Sequence, residues 1–297
     1  MNLHLLRTFA AVAEHQSFSR AAEAIHVSQP AVSKSVRELE QQLGLALLER
    51  QGGRVQLTEA GAALYDHARA IFALERAAEA DIRERLQLGR GCLTVGASMT
   101  IASFMLPPLI AEYLQRYPSI DVRIISGNTG TIEQQVLDHE LDVGLVEGPV
   151  EDARLERTLW REDELVVVAA ADYPLPRDVT PAELAEHRWM VREEGSGTRA
   201  VTMPLLEQAG IKVKNLMEVG SIGALVESVA AGLGLAMISV EAVRDPLRLG
   251  RLRTVDVPSA RFIRPLHRIC LRNRPISPAV AAFTELIDAQ RTTVSRE

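Results

Sequence analysis

The chain has 297 residues, of which 47% are hydrophobic and 24% charged, with a formal net charge of -6; this length and composition predict a globular protein of two or more domains. The first residues lack the basic stretch and cleavage site of a secretion signal, and no apolar run reaches the roughly 18 residues that a membrane span needs. We therefore expect a cytoplasmic protein with no membrane partner.

The N-terminal segment has the pattern of three short helices. Apolar residues at the spacing of an amphipathic helix open the chain: Leu6, Phe9, Ala10 and Ala13. Ser19 is a suitable N-cap for a second helix, whose inward residues would be Ala21, Ala22 and Ile25. Ser28 is a suitable cap for a third helix, and Pro30 fits its first turn because the amide that proline lacks has no partner there. The tight turn between the second and third helices indicates a helix-turn-helix.

The third helix carries a polar face that is a candidate for reading DNA. Val32, Val36, Leu39 and Leu43 share its apolar face, whereas Gln29, Ser33 and Arg37 share another, beside Lys34. A solvated helix face would have the same pattern. A basic hairpin that follows, Leu47 to Leu57 with its turn at Gln51-Gly52-Gly53, favours DNA binding and predicts a wing. The predicted DNA-contacting residues are Ser28, Gln29, Pro30, Ser33, Lys34, Arg37, Arg50 and Arg54, the last two on phosphates or in a minor groove.

A long helix is predicted from Thr58 to about Leu88, because this stretch contains no proline and repeats apolar residues every seven positions. Leu57, Leu64, Ile71 and Ala78 form the repeat, and Ala60, Ala68, Leu74 and Ile82 fill between them. A lone exposed helix of this length is unstable, so we expect it to pair with a second copy. The predicted pairing residues are Leu64, Ile71, Leu74, Ala78 and Ile82.

The first 61 residues resemble the DNA-binding domain of LysR-type transcriptional regulators. The resemblance rests on Phe9, Val12-Ala13-Glu14, SFSRAAEA (17–24), SQPAVS (28–33), Leu39-Glu40, Leu43-Gly44, Arg50 and LTEAG (57–61). It implies a winged helix-turn-helix over residues 1–58, a dimerising linker helix over 59–90 and an effector-binding domain over 91–297. It also implies promoter DNA as a partner, a homodimer or a dimer of dimers, and RNA polymerase as a further candidate partner.

The remaining two-thirds alternates strand-like and helical stretches, which predicts an α/β fold with mostly parallel sheets. The order resembles the effector domain of the same family, a two-lobed fold of the type 2 periplasmic-binding-protein class. On that resemblance lobe I comprises residues 91–161 and 267–297, and lobe II comprises residues 162–266. Ligands of such folds bind in the cleft between the lobes, beyond the carboxyl ends of the strands and near helix N-termini.

Three polar segments follow strands and open helices, so we expect them to meet at the cleft. The predicted effector-binding residues are Ser98, Thr100, Asn128, Thr129, Glu147, Ser196, Thr198 and Arg199. Arg199 would supply positive charge to a small anion. Glu147 would either form a salt bridge with Arg199 in the empty state or bind the amino group of a zwitterionic ligand. Each segment taken alone could equally be a capped helix with no ligand.

The effector half resembles the CysL-like branch of the family through GNTxxIE, LDxGLVEG, EDELVVV and GSGTR. That branch is associated with sulfur metabolism and sulfite reduction. The resemblance implies an inorganic sulfur oxyanion as the first candidate effector, and a small carboxylate or an amino-acid derivative as the second.

Other classes of function fit the sequence less well. A receptor of the periplasmic-binding-protein type would need a secretion signal or a lipid anchor and would have no use for the N-terminal segment. An enzyme would need a catalytic motif, and the sequence has no GxSxG, P-loop or HExxH and no clustered histidines, so we expect neither catalysis, a cofactor nor a metal. Cys92 and Cys270 are expected to be buried core thiols, with a redox pair as the alternative.

Overall fold

A computed structural model describes residues 2–51, 54–86, 91–176, 179–257 and 260–294. The chain forms two compact units, Met1–Ile82 and Arg83–Glu297. Among the described helices, none is both long enough and apolar enough to cross a membrane. The finer domain limits at residues 58, 90 and 161 stay predictions.

The first unit consists of helices around a small core, with a hairpin beside them. Its elements are α1 (Leu3–His15), α2 (Phe18–Ala24), α3 (Gln29–Leu43), β1 (Leu48–Gln51), β2 (Arg54–Leu57) and α4 (Glu59–Leu86). The apolar faces of α1 and α3 meet in the core, where Phe9, Val36 and Leu39 are almost fully buried. Ala21 on α2 is also buried, and its small side chain allows α2 to approach the other helices closely.

The helix starts agree with the sequence at α3 and differ at α2. Ser28 is the N-cap residue of α3 as predicted, although its side chain makes no capping hydrogen bond. The prediction that Ser19 caps α2 is wrong: Ser17 is the N-cap, because its extended backbone lets its hydroxyl accept from the amide of Arg20. Leu43 also departs from its predicted buried face, since it lies at the end of α3 and is 39% exposed.

The hairpin has the predicted strands, paired from Leu48 opposite Leu57 to Gln51 opposite Arg54. Glu40 on α3 fixes its start, because the carboxylate accepts hydrogen bonds from the amides of Leu47 and Leu48. The predicted glycine turn and the side chains of Arg50 and Arg54 lie outside the described residues.

The apolar stripe of helix α4 is partly packed in the core and partly exposed. Leu64, Ile71 and the buried Phe72 pack against the core of the first unit. Farther along the same helix Leu74 and Ile82 are 53% and 56% exposed, and Ala78 is exposed as well. The predicted pairing residues are therefore unequal: the first two support the protomer itself, and the last three are free to contact a second copy.

We predict that Leu74→Asp and Ile82→Asp lower the association state without unfolding the protomer, because each places a charge in the proposed pairing surface but not in the core. Sedimentation velocity measures the association state. Arg76→Asp is the matched control, since it puts the same side chain on the opposite, exposed face of α4. Both stripe variants associating like wild type would contradict this surface.

The second unit contains the remaining elements. Its strands are β3 (Cys92–Ser98), β4 (Asp121–Gly127), β5 (Val143–Glu147), β6 (Leu155–Ala170), β7 (Arg188–Arg192), β8 (Asn215–Val219), β9 (Ala236–Ser239), β10 (Leu252–Thr254) and β11 (Phe262–Leu271). Its helices are a π-helical turn (Ile101–Met105), α5 (Leu106–Arg116), α6 (Thr129–Leu137), α7 (Pro181–Glu186), α8 (Gly197–Gln208), α9 (Ile222–Ala230), α10 (Val240–Arg248) and α11 (Pro278–Val294).

The sheets are mixed rather than mostly parallel, which corrects the sequence prediction. Seven strands form one sheet in the order β10-β6-β11-β5-β3-β4, with β9 also on β6, and β7 pairs with β8. The pairs β3–β4, β3–β5 and β7–β8 are parallel, whereas β11 runs antiparallel to β5 and β6, and β6 runs antiparallel to β9 and β10. The sheets are mixed because the chain crosses from one hydrophobic core to the other along β6 and returns along β11 in the opposite direction.

Two long strands make these passages. Strand β6 has 16 residues and pairs with β11 along its first two-thirds, and the register shifts between Leu266 and His267. One set of apolar residues, including Trp160 and Phe283, packs in the core on one side of this shift. A second set, including Trp189 and Phe262, packs in the core on the other side. We use the names lobe I and lobe II for the parts around these two cores.

Neither cysteine is a fully buried core thiol as predicted, and the two are not bonded to each other. Both thiols are free; Cys92, the first residue of β3, is exposed and Cys270 is half-buried. The prediction of a buried Cys92 is wrong because the apolar interior of the strand begins one residue later. Strand β5 lies between β3 and β11, so the two cysteines are not on neighbouring strands. Partial desolvation, which reaches even the exposed Cys92, raises the pKa of both thiols and so lowers their reactive thiolate fraction.

Candidate functional site

The predicted recognition face lies at the start of α3. Ser28, Gln29, Pro30, Lys34 and Arg37 are exposed, and Ser33 is half-buried. Gln29 donates from Nε2 to the hydroxyl oxygen of Ser33, one turn along, over 2.9 Å. This bond leaves the amide oxygen of Gln29 as an acceptor and a second N–H as a donor, the pair of groups that can contact an adenine edge.

The second unit contains a buried ion network between its lobes. Glu147 ends β5 in lobe I and is 2% exposed. Its carboxylate accepts a hydrogen bond from the Ser98 hydroxyl at the end of β3. It also accepts from the Thr198 hydroxyl at the start of α8 in lobe II, over 2.8 Å. One carboxylate thus joins the carboxyl ends of two strands in lobe I to a helix start in lobe II.

Arg264 supplies the positive charge of this network. Its guanidinium is fully buried and lies 3.5 Å from Glu147 Oε1 and 2.8 Å from Asp163 Oδ2. It also donates to the Thr198 hydroxyl over 3.0 Å. Asp163 is the residue directly opposite Arg264 in the pairing of β6 with β11, and its other oxygen accepts from Ser239. The network therefore holds one cation and two carboxylates out of water.

Close backbone contact between the lobes requires glycine at two positions. A Cβ on Gly197 would lie 2.0 Å from the carbonyl oxygen of Glu147, which no other residue type could tolerate. Gly148 faces it with φ +91°, a conformation that side chains rarely adopt. Gly197 of the GSGTR loop is therefore required because its backbone contacts the backbone of the LVEG segment.

The structure brings together most of the predicted effector residues. Thr129 is buried and donates to the carbonyl oxygen of Glu147 over 2.8 Å. Ser196 is the buried N-cap residue of α8. Asn128 caps α6, since its side-chain oxygen accepts from the Thr131 amide, and it is half-buried beside Gly195. Thr129 and Asn128 therefore shape the backbone around Glu147, whereas the side chain of Ser196 makes no capping hydrogen bond.

Arg199 is not part of this group, although the sequence assigned it the positive charge. Its guanidinium donates to Glu218 on β8 over 2.7 Å and to the carbonyl oxygen of Arg192. Adjacent residues of a helix point about 100° apart, so Thr198 can face Glu147 only if Arg199 faces elsewhere. The predicted salt bridge between Glu147 and Arg199 is wrong, because Arg264 takes that place.

Nη2 of Arg264 is a buried donor of this network that has no hydrogen-bond partner among the described residues. The buried hydroxyl of Thr100, two residues beyond Ser98 in the chain, is likewise without such a partner. Buried donors without a partner are costly, so they indicate a position where a ligand atom accepts. Within the described part of the chain no cluster of His, Cys, Asp or Glu suits a metal ion.

Sequence reasoning missed Arg264, Asp163 and Ser239. The available signal was a charge at an inward position of a strand: Arg264 lies between the buried Phe262 and Leu266 in an alternating pattern. That signal marks a buried charge but does not identify its partners. The pairing with Asp163 follows only from the register of β6 against β11, which the sequence does not specify.

Comparison with known protein families matches both parts of the chain. The model described as "Bacterial regulatory helix-turn-helix protein, lysR family" matches residues 3–62. The model described as "LysR substrate binding domain" matches residues 86–291. Together these matches cover nearly the whole chain.

Relatives and solved structures agree with these matches. The chain is 37% identical to the HTH-type transcriptional regulator YeiE of Escherichia coli over 97% of both chains. It is 33% identical to the HTH-type transcriptional regulator CysL of Bacillus subtilis over 83% of both chains. A full-length OxyR variant of Pseudomonas aeruginosa superposes with a TM-score of 0.70 at 25% identity, covering 98% of this chain and 95% of that one. CbnR complexed with its target DNA gives a TM-score of 0.70 at 22% identity, covering 98% and 100%, and shows the shared fold.

We predict that Arg264→Ala destabilises the second unit by about 3–5 kcal/mol, because it leaves Glu147 and Asp163 buried without a cation. Both tryptophans, Trp160 and Trp189, are buried in this unit, so their fluorescence during urea unfolding measures the change.

The matched control is Arg199→Ala, which removes an arginine from a partly exposed pair with Glu218 and should cost about 0–1 kcal/mol. Equal losses for the two variants would contradict the assigned role of Arg264.

Proposed function

The chain belongs to the LysR family of bacterial transcriptional regulators, and on this premise we propose that a small oxyanion in the cleft of the second unit controls its binding to promoter DNA. The observation that carries the effector part is the buried Arg264, whose free Nη2 lies in a site of hydroxyl groups. A cation held by the protein and a free donor on it are what an anion requires.

DNA recognition is proposed to use the exposed face of α3. The residues Ser28, Gln29, Pro30, Ser33, Lys34 and Arg37 would enter the major groove, with Arg50 and Arg54 of the wing on the backbone or in the minor groove. In support, the helix-turn-helix model of the family matches this unit, and CbnR, which shares the fold, is described in a complex with its target DNA.

The active form is proposed to be a homodimer or a dimer of dimers paired through α4. Residues 1–58 contain six cations, Arg7, Arg20, Lys34, Arg37, Arg50 and Arg54, and five anions, Glu14, Glu23, Glu38, Glu40 and Glu49. This segment is the DNA-binding head, and a head with so small a net charge binds DNA weakly by electrostatics alone. Pairing two heads compensates, because the second head then binds as an intramolecular event.

RNA polymerase is a further proposed partner, and we propose that the protein works in the cytoplasm.

The effector is proposed to be an inorganic sulfur oxyanion, with a small carboxylate or an amino-acid derivative as the second class. In support, the motifs of the effector half resemble the CysL-like branch, and the chain is 33% identical to CysL over 83% of its length. The binding residues would be Thr100 and Arg264, which have free donors, within a wall formed by Ser98, Thr198 and Glu147. A receptor without DNA function is not favoured, because the helix-turn-helix model matches residues 3–62. The relatives are regulators, and we propose no enzymatic activity.

We predict that Gln29→Ala and Ser33→Ala relax base preference, each costing about 1–3 kcal/mol on the specific operator and little on scrambled DNA. Fluorescence anisotropy with both duplexes measures the ratio. Gln42→Ala is the matched control, because Gln42 is also an exposed glutamine of α3 but lies at its far end. An unchanged ratio for both variants would remove this face from recognition.

We predict that Thr100→Ala weakens sulfite binding about 10- to 100-fold, since it removes a donor to a charged ligand, and leaves operator binding without sulfite unchanged. Arg199→Ala should bind sulfite like wild type, because its guanidinium is engaged with Glu218. Titration calorimetry gives both affinities. A loss on Arg199→Ala with none on Thr100→Ala would place the effector elsewhere.

A further inference from the structure

We propose that Glu147 makes the cleft selective for an oxyanion that carries a proton, so that a protonated monoanion binds and a fully ionised anion of the same size does not. This inference rests on the proposed function, since it concerns the anion expected beside Arg264. It adds the requirement that the ligand also donate a hydrogen bond.

The first argument concerns donors. The hydroxyls of Ser98 and Thr198 have one hydrogen each, and both hydrogens are donated to the Glu147 carboxylate. An anion could take them only by leaving a buried carboxylate without donors, which is costly. While they stay in place, Nη2 of Arg264 is the guanidinium donor that remains for an anion, and the Thr100 hydroxyl, two residues beyond Ser98, is also without a partner among the described residues.

The second argument concerns charge. The charged groups in direct contact around Glu147 are Arg264 of β11 and, through it, Asp163 of β6. With one guanidinium and two carboxylates, this network carries one net negative charge before any ligand enters. Charges interact strongly at low effective dielectric. A dianion would add two more negative charges to this buried group, whereas a protonated monoanion adds one.

The third argument concerns the acceptor that faces the ligand. Each Glu147 oxygen accepts one hydroxyl hydrogen bond and keeps a further lone pair. A fully ionised oxyanion offers only acceptors to those oxygens and is repelled, whereas a ligand O–H donates to them. Asp163 is bonded to Ser239 and to Nε of Arg264 rather than to the hydroxyls of Ser98 and Thr198, so Glu147 is the carboxylate beside those hydroxyls.

The ligand is therefore bound at two poles, by which we mean a set of donors and the Glu147 acceptor. The negative oxygens of the ligand face Nη2 of Arg264 and the Thr100 hydroxyl, and its O–H faces Glu147. Hydrogensulfite and dihydrogenphosphate satisfy both poles. Sulfate and thiosulfate are fully ionised at neutral pH and satisfy only the first. Sites built to bond a ligand hydrogen reject analogues that lack it by large factors.

Titration calorimetry on the full chain tests this with sulfite, phosphate, sulfate and thiosulfate at neutral pH and equal ionic strength. We expect sulfite or phosphate to bind at least about 100-fold more tightly than sulfate and thiosulfate. Above the pKa of hydrogensulfite, sulfite affinity should fall about tenfold per pH unit. Sulfate binding within threefold of sulfite and phosphate would overturn the selectivity and leave the oxyanion site standing. Failure of all four anions to bind would overturn the proposed function and this inference with it.

The Glu147→Gln variant tests the contribution of the carboxylate independently of the rest of the site. The amide keeps an acceptor for a hydroxyl and adds N–H donors, so sulfate should bind this variant at least as tightly as phosphate, and the pH dependence should flatten. Glu218→Gln is the matched control, because it makes the same change in an exposed carboxylate that contacts Arg199. Wild-type selectivity retained in Glu147→Gln would also overturn the inference. The wild-type comparison of anions decides the question even if this variant does not fold.

Discussion

The second unit depends on one buried cation. Arg264 and Asp163 face each other across β11 and β6, the two strands that connect the lobes. Burying these charges is costly unless each one is bonded. The structure meets this cost with three hydroxyls, from Ser98, Thr198 and Ser239, and with Glu147. These groups come from strand ends and helix starts of both lobes, so the need to solvate one guanidinium brings the segments of the cleft together.

This constraint also indicates how a ligand could act as a switch. Glu147 belongs to lobe I and its partner Thr198 to lobe II, so separating the lobes would break the contact between them. A ligand favours one state only through its differential affinity for the two. An anion held by Thr100 and Arg264 would add contacts to the network that joins Glu147 of lobe I to Thr198 of lobe II, and that network exists only when the lobes are close. The ligand would thereby favour closure.

The sequence predicted the first unit better than the site, because the interactions that determine the two differ in how far apart their residues lie in the sequence. Helix faces and caps depend on neighbours three or four residues away, so α1, α3 and the hairpin could be placed, and the error at Ser19 is two residues. Ser98, Glu147 and Thr198 could be expected to lie together, as they do, because each lies at a strand end or a helix start. Arg264 and Asp163 are 101 residues apart and are joined by strand register, which no local pattern records. Arg199 was misassigned because a loop motif does not tell which of two adjacent residues faces inward.

The free energy that an effector contributes limits how regulation can work. A ligand at 100 times its dissociation constant contributes about 2.7 kcal/mol, about as much as one or two base contacts. That free energy could not dissociate from DNA a head that bound its site tightly by itself. The nearly neutral head and the exposed Leu74 and Ile82 of α4 indicate another arrangement, in which affinity arises from pairing. Paired heads are sensitive to their spacing, because the effective concentration of the second head falls when the geometry no longer fits the site. A small change in the lobes can then have a large effect on DNA binding without overcoming the full affinity of either head.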